Sequence, residues 1–85
     1  MPRFRVTSGE FRVVVEEKNL RKAGDLAIQL HDESKLRTLL GQLTLVEQLD
    51  YQTAKPTGDH CFIVTQMLID DNANPANGTY LKERI

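Results

Sequence analysis

Hydrophobic and polar positions along this chain follow two periods, and the change between them predicts the elements. In residues 3–7 they alternate, with Phe4 and Val6 on one side and Arg3, Arg5 and Thr7 on the other, which is the pattern of a strand. Residues 11–17, FRVVVEE, read as a second strand rich in valine. With Ser8-Gly9 as a two-residue hairpin loop, Thr7 faces Glu10, Val6 faces Phe11, Arg5 faces Arg12 and Phe4 faces Val13. That pairing gathers Phe4, Val6, Phe11, Val13 and Val15 on one face. It leaves Arg3, Arg5 and Arg12 on the other, beside Val14 and Glu16.

Residues 19–33, NLRKAGDLAIQLHDE, carry the helical period. Steps of about 100° per residue collect Leu20, Ala23, Gly24, Leu26, Ala27, Ile28, Leu30 and His31 in one arc. Arg21, Lys22, Asp25, Gln29, Asp32 and Glu33 take the opposite side. Asn19 is placed to cap the first turn, and Gly24, on the apolar arc, suggests a close approach of helix to sheet.

In residues 35–50 the pattern changes hands at Gly41. Leu36, Leu39, Leu40 and Leu43 fit a helical turn near 35–40; Leu43, Leu45 and Leu49 then alternate with Thr44, Val46 and Gln48, predicting a strand over about 42–50. Lys55-Pro56-Thr57-Gly58 is a turn signal. Residues 60–68, HCFIVTQML, predict a fourth strand, apolar on both sides around residues 61–64. Residues 72–85 are expected to form a disordered, flexible polar tail in which only Tyr80, Leu81 and Ile85 have the character to dock.

The order strand, strand, helix, strand, strand predicts an α+β fold: a two-layer sandwich, one amphipathic helix on a mostly antiparallel sheet of about four strands, formed by a single domain over residues 1–71. Val14, Val46 and one side of residues 61–64 are expected to point away from the helix. Strands apolar on both sides imply that the second face is covered too, by a second copy, another partner or residues 67–72 folding back.

Composition narrows the class without naming a function. The 40% hydrophobic and 27% charged fractions are those of an ordinary globular chain, and 85 residues allow one core and no large enclosed site. The net charge of −1 gives no general reason to expect nucleic acid, although residues 1–22 hold Arg3, Arg5, Arg12, Lys18, Arg21 and Lys22 against only Glu10, Glu16 and Glu17. No apolar run approaches a membrane span, and the N-terminus lacks the apolar stretch of a secretory signal. The single cysteine, Cys61, excludes an internal disulfide and suits a reducing compartment, so a cytoplasmic protein with no membrane partner is expected.

Candidate chemistry is sparse. His31, His60 and Cys61 have no zinc-type spacing, and alternation sends His60 and Cys61 to opposite faces of a strand. Cys61 opens the most apolar run, which favours a core thiol over a nucleophile. Ser8 and Ser34 occupy turn and helix-end contexts, so no hydrolase triad is suggested. Asp70, Asn72 and Asn74 begin like a calcium loop, but Pro75 and Leu81 stand where glycine and glutamate are required. No glycine-rich nucleotide loop occurs. The sequence thus predicts a non-enzymatic protein-interaction module without cofactor, self-associating or binding a protein partner through a sheet face or edge, with Val14 and Val46 in the contact. The alternative is a phosphate or nucleic-acid binder using Arg3, Arg5 and Arg12, disfavoured because Phe4 and Phe11 point away from the arginines and offer no stacking surface.

Overall fold

The computed structural model describes residues 1–34 and 38–73. Its elements are β1 (Arg3–Ser8), β2 (Phe11–Glu16), α1 (Leu20–Ser34), β3 (Leu43–Leu49), β4 (Pro56–Val64) and α2 (Thr65–Ala73). The four strands form one antiparallel sheet in the order β2-β1-β3-β4, so the fold is the α+β arrangement expected, with a second helix added. The segment 74–85, including Tyr80, Leu81 and Ile85, lies outside the described residues, as do three residues of the turn expected at 35–40.

The hairpin of β1 and β2 turns at Gly9-Glu10, not at Ser8-Gly9. Ser8 opposes Phe11, Val6 opposes Val13 and Arg5 opposes Val14, so Arg5 and Arg12 are not opposite each other. The cause is Gly9, whose φ of +57° suits the first central position of a two-residue turn. A Cβ there would lie 2.5 Å from the Leu39 carbonyl oxygen, and the Glu10 amide donates to that same oxygen at 3.0 Å. Moving the turn by one residue on each strand preserves the faces, and Phe4, Val6, Phe11 and Val15 do enter the core.

The helix begins where Asn19 caps it: the Lys22 amide donates to Asn19 Oδ1 at 2.9 Å. Ala23, Gly24, Ala27 and Ile28 form the buried stripe, while Leu30, at the margin of the apolar arc, stays exposed. Gly24 faces α2 more closely than the sheet. A Cβ at Gly24 would meet both Leu68 methyls at 3.2 Å and Ile63 Cδ1 at 3.5 Å, so α2 lies beside α1 over the same face of the sheet.

The strand expected over 60–68 therefore ends at Val64, and Thr65 starts a helix without any linker. The signal for it is the spacing of Thr65 and Leu68, the buried residues of α2, three positions apart. The turn before β4 also lies earlier than the Lys55-Pro56-Thr57-Gly58 signal suggests. Asp50 organises it, accepting from the amides of Gln52 (3.1 Å) and Thr53 (2.9 Å) and from the Thr53 hydroxyl (3.1 Å). These bonds, the Thr53 amide first, hold the Asp50 carboxyl below its usual range. Pro56 opens β4 opposite Leu49, and the pairing resumes at Glu47 and His60, leaving a bulge that contains Gly58 at φ +105°.

Candidate interaction surface

Alternation along the sheet assigns every strand residue to one of two faces, and β3 reverses the assignment expected of it. Thr44 and Val46 point towards the helices and are fully buried, so Val46 belongs to the core and not to an outer contact. Two contacts fix this parity. Thr44 Oγ1 lies 2.8 Å from Thr65 Oγ1, and on the other side Arg5 Nε and Nη2 donate to Glu47 Oε1 at 3.2 and 3.1 Å. The pairing of Val6 with Val46 and of Thr7 with Leu45 carries it across to β1.

Leu43 and Leu45 consequently share the outer face with Phe62 and Val64, their partners on β4. Leu43 is 54% exposed, Phe62 62% and Val64 48%, and Val14, on β2, is 51% exposed on the same face. Among the described residues no helix covers these side chains, since α1 and α2 both lie on the other side. Residues 67–72, one of the covers expected for this face, are instead part of α2. An exposed group of large apolar side chains on one flat face is the usual mark of a contact surface.

Charged residues border this group. Arg3 approaches Glu16 at 3.6 Å and stacks over the Tyr51 ring at 5.0 Å, while Arg5 is held by the half-buried Glu47. Arg12 alone of the three arginines has no ionic partner among the described residues. The sequence places the three on one face, as the structure does, but two are already neutralised. A phosphate group approaching here would meet one free guanidinium rather than three.

The two histidines and the cysteine do not converge. His31 Nε2 donates to the Thr38 carbonyl at 2.8 Å and its ring lies edge-on to Phe11 at 4.9 Å, so it ties α1 to the segment beneath the hairpin tip. His60 stands on the outer face of β4, with Nδ1 2.8 Å from the Gly58 carbonyl. Cys61 points inward, where burial raises its thiol pKa against the opposing pull of Arg21. Among the described residues no group of three or more His, Cys, Asp or Glu side chains could hold a metal ion, and no helix is long and apolar enough to cross a membrane.

A charged cluster that the sequence does not reveal lies at the seam of the helices. Arg21 Nε and Nη2 donate to Asp71 Oδ2 at 3.0 and 2.7 Å. Asp25 sits against the same carboxylate, and burial, followed by its hydrogen bond to Asp71, raises its pKa to about 7. For Asp71 burial acts upward, but the bonds from Arg21 and from protonated Asp25 hold the carboxyl below its usual range. Asn72 completes the seam by donating to the carbonyls of Asp25 (3.0 Å) and Leu68 (2.9 Å). Asp25 and Asp71 are 46 positions apart, and only the unforeseen α2 brings them together.

Two open hollows flank Leu40 at one end of the molecule. One, of about 640 Å³, is lined by Leu43, Val64, Thr65 and Ile69; the other, of about 430 Å³, by Ile28, His31, Asp32 and Asn72. The first adjoins the exposed apolar residues and extends that surface round the end of the sheet. Comparison with protein families, with characterised proteins and with solved structures finds no match for the chain.

Proposed function

We propose that the protein is a small non-enzymatic interaction module that self-associates through its sheet, with the face opposite the helices as the contact. The observation that carries this reading is the row of Leu43, Phe62 and Val64, uncovered among the described residues and each about half exposed or more on a strand pair whose inner side is already filled. Covering the exposed half of such side chains contributes on the order of 1 kcal/mol each, a favourable term for association once a complementary surface is offered. A second copy offers one. The border of the patch carries Arg5, Glu47, Arg3 and Glu16, so a two-fold contact meets both signs of charge rather than a single repelling one.

Sedimentation equilibrium over a concentration series tests the proposal. The wild-type protein is expected to exceed its 9.7 kDa chain mass, and Phe62→Asp to lower the mass reached. A chain that stays monomeric throughout, or a Phe62→Asp protein that assembles like the wild type, overturns it.

A further inference from the structure

Among the described residues β2 is an open edge of the sheet, and the direction of its backbone groups can be deduced. The Glu17 amide donates to the Pro2 carbonyl at 3.1 Å, continuing the pairing of β1 and β2. Successive residues of a strand aim their N–H and C=O groups to opposite sides, so Phe11, Val13 and Val15 bond to β1. Arg12, Val14 and Glu16 therefore turn their backbone groups away from the sheet, and their side chains stand exposed on the outer face. The strand is valine-rich, contains no proline and has no bulge against β1, so nothing in its backbone prevents another strand from joining it.

We propose that two copies pair antiparallel along β2 about a two-fold axis at Val14, placing each copy's Arg12 opposite the other's Glu16. The pairing rests on the reading that the protein self-associates, and it names a contact separate from the outer face. In this register the six outward N–H and C=O groups of Arg12, Val14 and Glu16 are all satisfied by those of the second copy. Val14 meets Val14, and Arg12, without an ionic partner among the described residues, gains a carboxylate that Arg3 holds only at 3.6 Å. Beyond the strand ends the same register sets Glu10 against Lys18.

The neighbouring registers are worse. Sliding one way sets Glu10 against Glu16; sliding the other sets Arg12 against Lys18. Like charges directly opposite each other disfavour a pairing, so the charge order along residues 10–18 selects the Val14 axis. The product is an eight-stranded sheet whose two outer faces lie on one side, leaving Phe62 and its neighbours free for the face contact.

The test uses full-length protein carrying Phe62→Asp, which removes the face contact and isolates the edge. Sedimentation equilibrium is expected to give twice the chain mass for F62D. F62D/R12E and F62D/E16R are each expected to fall to one chain mass, because each sets like charges across the axis. An equimolar mixture of those two is expected to recover the doubled mass, since every pair across the axis is then one acidic and one basic residue. A monomeric F62D protein overturns the edge pairing while leaving the face contact standing. Doubled mass that survives either charge reversal, or folded single-reversal proteins that fail to recover on mixing, overturns the register at Val14.

Discussion

Gly24 of α1 and Leu68 of α2 touch so closely that a methyl group on Gly24 would press on both Leu68 methyls at 3.2 Å. Leu68 is fully buried, and Ile63 Cδ1 lies 3.5 Å from the same point, so the added methyl meets packed side chains rather than open space. Gly24→Val is expected to destabilise the fold by about 1–3 kcal/mol through overpacking, despite the gain from removing a helical glycine. Leu68→Ala empties the same contact from the other side and should cost about 2–5 kcal/mol. Urea unfolding of both variants checks the pair; unchanged midpoints would show that α2 does not rest on α1.

Acidity acts on the same seam. Asp25 has its pKa raised to about 7 in the folded chain, by burial first and by Asp71 second, so it binds its proton more tightly there than when unfolded. Its contribution is complete below the unfolded carboxyl range and is lost as pH rises through about 7. Asp71 has the opposite sign, since its depressed pKa contributes stability above the usual carboxyl range that is lost on strong acidification. The urea midpoint should therefore fall between pH 6 and pH 8. Asp25→Asn, which keeps a donor towards Asp71 but cannot ionise, should flatten that slope.

Three hydroxyls lie buried under the end of the sheet. Thr65 Oγ1 is 2.8 Å from Thr44 Oγ1 and 3.4 Å from Ser8 Oγ, and Ser8 Oγ accepts from the Gly41 amide at 3.1 Å. Thr65→Val strands the Thr44 hydroxyl, leaves Ser8 with Gly41 as its partner, and should cost about 1–3 kcal/mol, whereas Thr44→Val with Thr65→Val should cost less than the sum of the single changes. A double-mutant cycle by chemical denaturation measures the difference.

The hairpin tip is bound to its conformation twice over. Gly9 has φ +57° and leaves no space for a Cβ beside the Leu39 carbonyl. Gly9→Ala is expected to destabilise by roughly 1–3 kcal/mol and to loosen the contact of Glu10 with Leu39. Faster amide hydrogen exchange at Glu10 than in the wild type would report it.

Strand β3 shows where the sequence was legible and where it was not. The helix of residues 19–33 and its Asn19 cap could be read because a whole face repeats over four turns, and the hairpin faces because aromatic and β-branched residues alternate with arginines. In β3 both sides are substantially apolar. Leucine at 43, 45 and 49 outweighs threonine and valine at 44 and 46 on any hydropathy count, so the pattern points Val46 outward. The structure decides otherwise through contacts to distant residues, Glu47 with Arg5 and Thr44 with Thr65, which no local window contains. The outward position of Val14 is legible because its neighbours Arg12 and Glu16 are unambiguously polar. The difference is measurable: Val46→Ala should cost about 2 kcal/mol of stability, while Val14→Ala should leave the urea midpoint nearly unchanged. The seam of Asp25, Asp71 and Arg21 was invisible for a simpler reason, since α2 follows β4 without a break and its first residues continue the apolar run of that strand.

The position of β1 has a consequence for how the chain is made. It is flanked by β2, its next neighbour in sequence, and by β3, which begins 35 residues after β1 ends. During synthesis the β1–β2 hairpin can close at once, yet Phe4 and Val6 have a strand on only one side until Leu49 has emerged from the ribosome. The first half of the chain must wait for the second, and this non-local pairing is expected to set the pace of folding.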